Sequence, residues 1–130
     1  MIEPEGVVHP IKDETAAHAV ASAWRPALRE VVSAFVHGDY ALQKGVAFVE
    51  PVPSSTADHI KSYLESYGET LTELSEETWE TSVSQWMSTH WDVLVDLWTV
   101  ESGRSDMVLH ARVLEVGESF RIEIYLVYVP

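Results

Sequence analysis

The 130-residue sequence contains no cysteine. Disulfide bonds and thiolate metal sites are therefore excluded. No apolar run approaches the roughly 18 residues that a membrane-spanning helix needs, and the N-terminus carries no basic segment of the kind that begins a secretion signal. We therefore expect a cytoplasmic protein with no membrane partner. Apolar residues make up 46% of the chain, and this fraction favours a folded protein over a disordered one.

Sequence motifs for metal, cofactor and covalent chemistry are also missing. The six histidines do not show the HExxH spacing of a zinc site. No glycine-rich loop is present that would bind phosphate groups, and no motif places a serine nucleophile. We therefore predict no metal, no cofactor and no catalytic residue, and the sequence favours a non-enzymatic protein.

Basic residues are scarce. The chain has eight lysines and arginines against 21 aspartates and glutamates, a formal net charge of −13. Residues 50–80, here called the acidic segment, contain eight acids and one base and so carry a net charge of −7. Such a field repels nucleic acid and anionic membranes and attracts basic proteins. The predicted partner surface consists of six glutamates: Glu65, Glu69, Glu73, Glu76, Glu77 and Glu80.

Three segments near the C-terminus alternate as β-strands do. They span residues 91–100, 106–116 and 119–129, and short polar breaks separate them. Each has one apolar face and a second face, here called the mixed face, with polar and apolar side chains. This pattern predicts an antiparallel meander packed on a core through one side. The apolar faces are predicted to consist of Trp91, Val93, Val95 and Leu97, of Met107, Leu109, Ala111 and Val113, and of Phe120, Ile122, Ile124 and Leu126.

The two breaks predict how the strands pair. A loop with Gly103 at positive φ places Asp96 opposite His110. A two-residue turn at Gly117-Glu118 then places His110 beside Tyr125 and Arg112 beside Glu123. An aspartate that holds a histidine is a common acid–base pair, although an ordinary solvated face has similar ion pairs. The mixed face is therefore the candidate site, formed by Asp92, Asp96, Trp98, His110, Arg112, Arg121, Glu123 and Tyr125.

The loop between the first two strands, residues 101–105, is a second candidate site. Glu101, Arg104 and Asp106 carry charges of both signs that can bind a charged ligand. The acids and serines of such a loop can instead satisfy the loop's own backbone.

The rest of the chain predicts helices and short strands. Residues 1–12 are predicted to form an N-terminal arm and residues 13–130 a single domain. The first helix is predicted over residues 13–37, where Pro26 either kinks it or starts a second helix. A further helix is predicted from a cap at Ser55 to a C-terminal Gly68.

Short strands are predicted at residues 44–50 and 81–87. The elements together predict an α+β fold, with two helices packed on one face of a three- to five-stranded antiparallel sheet. Cystatin-like and nuclear-transport-factor-like cones share this layout, which is an analogy of fold alone.

The segment from Trp91 to Val113 reads WDVLVDLWTVESGRSDMVLHARV. It contains the pattern VDLWT-x-E-x-GRSD, with Met107 where leucine is usual. The segment resembles a small bacterial domain family of unknown function, and the resemblance covers residues 25–129. It implies no activity and no catalytic residue.

Two functions stay open at this point. The first is a non-enzymatic module that binds a basic protein, such as an immunity protein that neutralises a toxin. The alternative is a cone-shaped domain that binds or converts a small molecule in a pocket around Asp96, His110 and Tyr125. A homodimer joined through the sheet or its tryptophans is a further possibility.

Overall fold

The computed structural model describes residues 6–130. Residues 1–5, which belong to the predicted N-terminal arm, lie outside the described residues. No helix in the described part of the chain is long and apolar enough to cross a membrane. The elements, in chain order, are β1 (His18–Ala19), a 3₁₀ turn (Ser22–Trp24), α1 (Arg25–Val36), α2 (Ser54–Tyr67), β2 (Leu71–Thr72), a 3₁₀ helix (Glu76–Glu80), β3 (Val83–Trp86), β4 (Trp91–Thr99), β5 (Gly103–Val116) and β6 (Ser119–Tyr128).

The strands form one antiparallel sheet in the order β1-β3-β4-β5-β6, and β2 pairs with β4 beyond the end of β3. The predicted α+β class, with an antiparallel meander at the C-terminus, is confirmed. Periodicity could not indicate β1 and β2, because a two-residue strand has no alternation to detect.

Side chains close the gap between β2 and β3. The Thr78 hydroxyl donates to the Asp96 carbonyl at 2.7 Å, and the Asp96 N–H donates to Ser82 Oγ at 2.9 Å.

Both helices pack on the same face of the sheet. The predicted apolar residues of β4 and β5 are buried there, each no more than 2% exposed. Helix α1 covers them with Leu28, Val31, Val32 and Phe35, whose spacing places them on one side of the helix. Helix α2 adds Ile60 and Leu64. The core therefore lies between the helices and one face, and no described helix packs on the mixed face.

A β-bulge changes the predicted face of the last residues of β6. Ala111 pairs with Ile124, but His110 pairs with Leu126, so Tyr125 is the extra residue. The alternation therefore shifts by one position. Val127 is fully buried, whereas Leu126 lies beside His110 and is half-buried. The prediction that Leu126 belongs to the core and Val127 to the mixed face is wrong.

Each helix begins next to a proline. Helix α1 begins at Arg25 rather than Asp13, and Pro26 lies in its first turn, where a missing N–H costs no hydrogen bond. The alternative that Pro26 starts a new helix is therefore correct. Helix α2 has Pro53 rather than Ser55 at its N-cap, and it ends as predicted at Gly68, which has a φ of 83°.

Of the two short strands, the one predicted at residues 81–87 is confirmed as β3. Residues 44–50 form a loop instead, with Phe48 at a positive φ of 69°. The Ile122 N–H donates to the Phe48 carbonyl at 2.7 Å, and the Glu50 N–H donates to the Ile122 carbonyl at 2.9 Å. The loop thus covers part of the outer edge of β6 without becoming a strand.

Candidate functional site

The mixed face exists as the alternation predicts. Along β4, Asp92, Leu94, Asp96 and Trp98 are half-buried, and every residue between them is buried. On β5, His110 and Arg112 lie on the same side, because His110 pairs with Leu94 and Arg112 pairs with Asp92. The face therefore gathers polar side chains on the side of the sheet that the helices leave open.

The predicted pairing between β4 and β5 is wrong by two residues. Asp96 pairs with Val108, not with His110. The connecting loop is only residues 100–102, because Gly103, at a φ of 71°, already pairs with Thr99. An irregularity in the pairing between Asp96 and Trp98 then reduces the difference from the predicted pairing. The turn at Gly117 is as predicted, so Val116 pairs with Ser119 and the pairing of Arg112 with Glu123 is confirmed.

Leu94 therefore takes the position opposite His110 that was predicted for Asp96, and Asp92, which pairs with Arg112, contacts His110 diagonally. The Asp92 Oδ1 atom lies 3.2 Å from His110 Nε2, 3.3 Å from His90 Nε2 and 3.5 Å from Arg112 Nε. We call these four residues the Asp92 cluster. Only 14% of the His110 side chain and 24% of the Asp92 side chain are exposed, so the Asp92 carboxylate is less screened than a carboxylate at the surface. Sequence reasoning missed His90, although it lies two residues before Asp92, a spacing that places both side chains on the same face.

Hydroxyl and aromatic groups hold the Asp92 cluster in place. The Tyr128 hydroxyl lies 3.3 Å from His110 Nδ1, and the Thr89 hydroxyl lies 2.9 Å from His90 Nδ1. The ring of Tyr125 is 4.5 Å from the Arg112 guanidinium and 4.9 Å from the His110 ring, distances that favour cation–π and ring contacts. Because the bulge turns Tyr125 outward, half of it remains exposed.

The other predicted residues of the mixed face lie apart from this cluster. The Asp96 carboxylate accepts a hydrogen bond from the Thr81 hydroxyl at the opposite edge of β4. Glu123 lies 3.5 Å from Arg121, which also contacts Glu50 at 3.2 Å. Asp96, His110 and Tyr125 are thus not brought together as one group, and only His110 and Tyr125 are in contact.

Trp98 lies at the far end of the mixed face from the Asp92 cluster and pairs with Arg104. Its indole Nε1 is buried and has no hydrogen-bond partner among residues 6–130. Trp98 and the cluster are therefore separate features of the same face.

The hairpin loop has a structural role that the sequence left open. Glu101 accepts hydrogen bonds from the Thr70 N–H and the Thr70 hydroxyl, both at 2.8 Å. These bonds lower the pKa of Glu101. Ser105 is buried and donates to the Leu97 carbonyl at 2.8 Å. Arg104 and Asp106 remain exposed, so they are the loop candidates whose side chains are open to a ligand.

The six glutamates of the acidic segment divide into two groups. Glu69 accepts hydrogen bonds from the Thr99 and Ser102 hydroxyls at 2.7 and 2.9 Å, and Glu73 accepts one from Ser33 at 2.9 Å. Glu76 forms a salt bridge with Arg29. The remaining three are exposed: Glu65, Glu77 and Glu80.

The structure offers little to a metal or an enclosed ligand on the mixed face. Among residues 6–130, no three histidine, aspartate or glutamate side chains are arranged to hold a metal ion. Five cavities of about 190 to 570 Å³ lie beside the helices and the outer edge of β6. No residue of the Asp92 cluster lines any of these five.

The fold and the mixed face define a two-layer α+β protein in which helices cover one side of an antiparallel sheet and leave the other open. A family model for a domain of unknown function, DUF7668, matches residues 32–130. The chain therefore belongs to that family, and the resemblance seen in residues 91–113 is confirmed. No curated protein and no solved structure matches the chain.

Proposed function

We propose that this protein is a non-enzymatic binding module that docks a basic protein through its acidic segment. The supporting observation is the charge of that segment, eight acids against one base. Among the six glutamates of the predicted surface, within residues 6–130, only Glu76 lies within salt-bridge distance of a cation. The segment therefore keeps most of its negative charge.

Hydrogen bonds within the segment do not remove this charge. Glu69 and Glu73 accept from neutral serine and threonine hydroxyls, which satisfies the carboxylate oxygens but leaves the formal charge unchanged. Glu65, Glu77 and Glu80 face solvent. A cationic partner thus meets some carboxylates that are fixed in position and others that are free to adjust.

The basic residues divide between the acidic segment and the rest of the chain. Arg29 contacts Glu76 and Arg121 contacts Glu50, two acids of the segment. Arg112 contacts Asp92, and Lys12 contacts Glu115 at 2.6 Å. The Arg25 guanidinium donates to the Val20 carbonyl at 3.1 and 2.9 Å. The eight acids of the segment still outnumber the cations that contact them, and a net negative field steers a basic partner toward it.

We infer that neutralisation of a toxin, the role of an immunity protein, is the particular form of this function. A toxin that acts on nucleic acid needs a basic surface, because it must bind phosphate groups. A small acidic protein can cover such a surface through charge complementarity. A toxin of this kind is a particular class of basic partner, and its neutralisation is tested separately from binding.

The test pairs this protein with the product of the adjacent gene. The two proteins are produced together and separately, and cell growth and the Kd of the complex are measured. We expect a toxic neighbour, rescue of growth by this protein, and a Kd that rises with salt because screening weakens exposed charge pairs.

The variant that removes charge from this surface is Glu65→Gln/Glu77→Gln/Glu80→Gln. We expect it to weaken binding about tenfold, mainly through slower association. Glu118→Gln, in the exposed turn between β5 and β6, is the matched control and should bind as the natural protein does. An affinity that ignores both salt and the triple substitution would exclude the acidic segment as the interface.

A further inference from the structure

We propose that two copies of this protein associate through their mixed faces. The first argument is charge. The face has four acids and three arginines, a net charge of −1, in a chain whose net charge is −13. Two copies repel each other through the acidic segment, whereas the mixed faces can meet almost without repulsion. The charged residues of the face are Asp92, Asp96, Asp106 and Glu123 with Arg104, Arg112 and Arg121.

The second argument is how the two signs alternate. Cross-strand pairing places Asp92 beside Arg112, and Arg112 beside Glu123. In a two-fold symmetric contact the same patch meets itself. An axis that passes between the Arg112 and Glu123 positions, whose side chains are 38% and 45% exposed, therefore sets the guanidinium of one copy against the carboxylate of the other, so the face is complementary to itself.

The third argument is the apolar surface between the charges. Leu94, Trp98, Leu114 and Leu126 are half-buried on this face, and Tyr125 is 50% exposed. No described helix covers them. Tryptophan and tyrosine contribute strongly to binding when a partner surrounds them with apolar surface. A second copy would supply such surface from the same side chains.

The fourth argument is area. Strands β4, β5 and β6 are 9, 14 and 10 residues long. With about 3.3 Å per residue along a strand and about 4.8 Å between strands, and with β3 beside them, the face measures on the order of 600 Å² per copy. Two copies would bury about 1,200 Å² in total, which is within the range of specific protein interfaces.

The test measures the mass of the full-length protein by sedimentation velocity across low to high micromolar concentration. We expect the mass to rise from that of a 14.6 kDa monomer to twice that value. High salt should change the dimer little, because screening weakens both the repulsion between the two acidic molecules and the ion pairs across the contact. A monomer at every concentration, in low and in high salt, would overturn the proposal.

Two exposed aromatic residues provide a matched pair of variants. Tyr125 on the mixed face is 50% exposed, and Phe48 at the outer edge of β6 is 54% exposed. Tyr125→Glu should weaken the dimer at least tenfold, because it adds two like charges to the interface, whereas Phe48→Glu should not change it. Arg104→Glu, at an exposed position of the same face, is a second variant that should also weaken the dimer. Its circular dichroism should match that of the natural protein, which would show that the fold is unchanged. A dimer that Phe48→Glu breaks and Tyr125→Glu leaves intact would place the contact elsewhere.

Discussion

The acidic segment and the mixed face both carry many carboxylates, but the mixed face places its central carboxylate among imidazole and guanidinium groups. Asp92 lies among His90, His110 and Arg112. In the acidic segment, Glu69 and Glu73 accept from neutral hydroxyls instead. Hydrogen bonds from hydroxyls leave the formal charge of a carboxylate unchanged, whereas the Arg112 guanidinium beside Asp92 offsets it. The comparison teaches that one protein can present a charged surface to a basic partner and a nearly neutral surface to a copy of itself.

The largest expected effect separates the core side of the sheet from the mixed face. Val127 is fully buried and its neighbour Leu126 is half-buried beside His110. Val127→Asp places an unpaired charge in the core and should lower the free energy of unfolding by more than about 4 kcal/mol. Leu126→Asp should lower it by less than about 1.5 kcal/mol, since its side chain reaches solvent. Urea denaturation measures both values. Equal losses for the two variants would mean that the bulge at Tyr125 does not separate the faces.

The bulge also shows where prediction from the sequence stops. Alternation identified β4, β5 and most of β6, because a strand with one buried face repeats every two residues. The residues Phe120 to Ile124 keep that alternation, but Leu126 and Val127 are both apolar, so the pattern does not reveal that Tyr125 is the extra residue. Long alternating strands could therefore be predicted, whereas the local change of pairing could not.

For the candidate site, too, the face on which each residue lies could be predicted, whereas the local strand pairing could not. The set of residues on the mixed face followed from alternation, and the two-residue turn at Gly117 placed Arg112 beside Glu123. The neighbours of His110 depended on the length of the loop before Gly103, and that loop admits several pairings that differ by two residues without changing the face. Asp92 and His90 could be recognised as members of one cluster with His110 only once the strand pairing was known.

The next prediction compares one ion pair from each region. Asp92 is 24% exposed, whereas Glu76, the partner of Arg29, is 74% exposed. Asp92→Asn leaves the Arg112 guanidinium beside a neutral amide and should lower the free energy of unfolding by about 1 kcal/mol. Glu76→Gln should lower it by less than about 0.5 kcal/mol, because exposed pairs are screened by water and salt. Urea denaturation in low and high salt checks both. If Glu76→Gln costs as much as Asp92→Asn, the difference between the two regions is not one of screening.

The smallest expected effect is a dependence on acid that arises outside both regions. Hydrogen bonds from the Thr15 hydroxyl, from His18 and from the Thr15 N–H lower the pKa of Asp13 to about 2. Bonds from Thr70 lower the pKa of Glu101 in the same direction. Because the folded-state pKa lies below the unfolded value, near 4, this stabilisation is present above about pH 4.5 and is lost as the pH falls toward 2. The natural protein should therefore lose stability across that window more steeply than the double variant Asp13→Asn/Glu101→Gln. Urea midpoints at pH 5 and at pH 2.5 measure the two slopes, and parallel slopes would show that Asp13 and Glu101 do not govern the response.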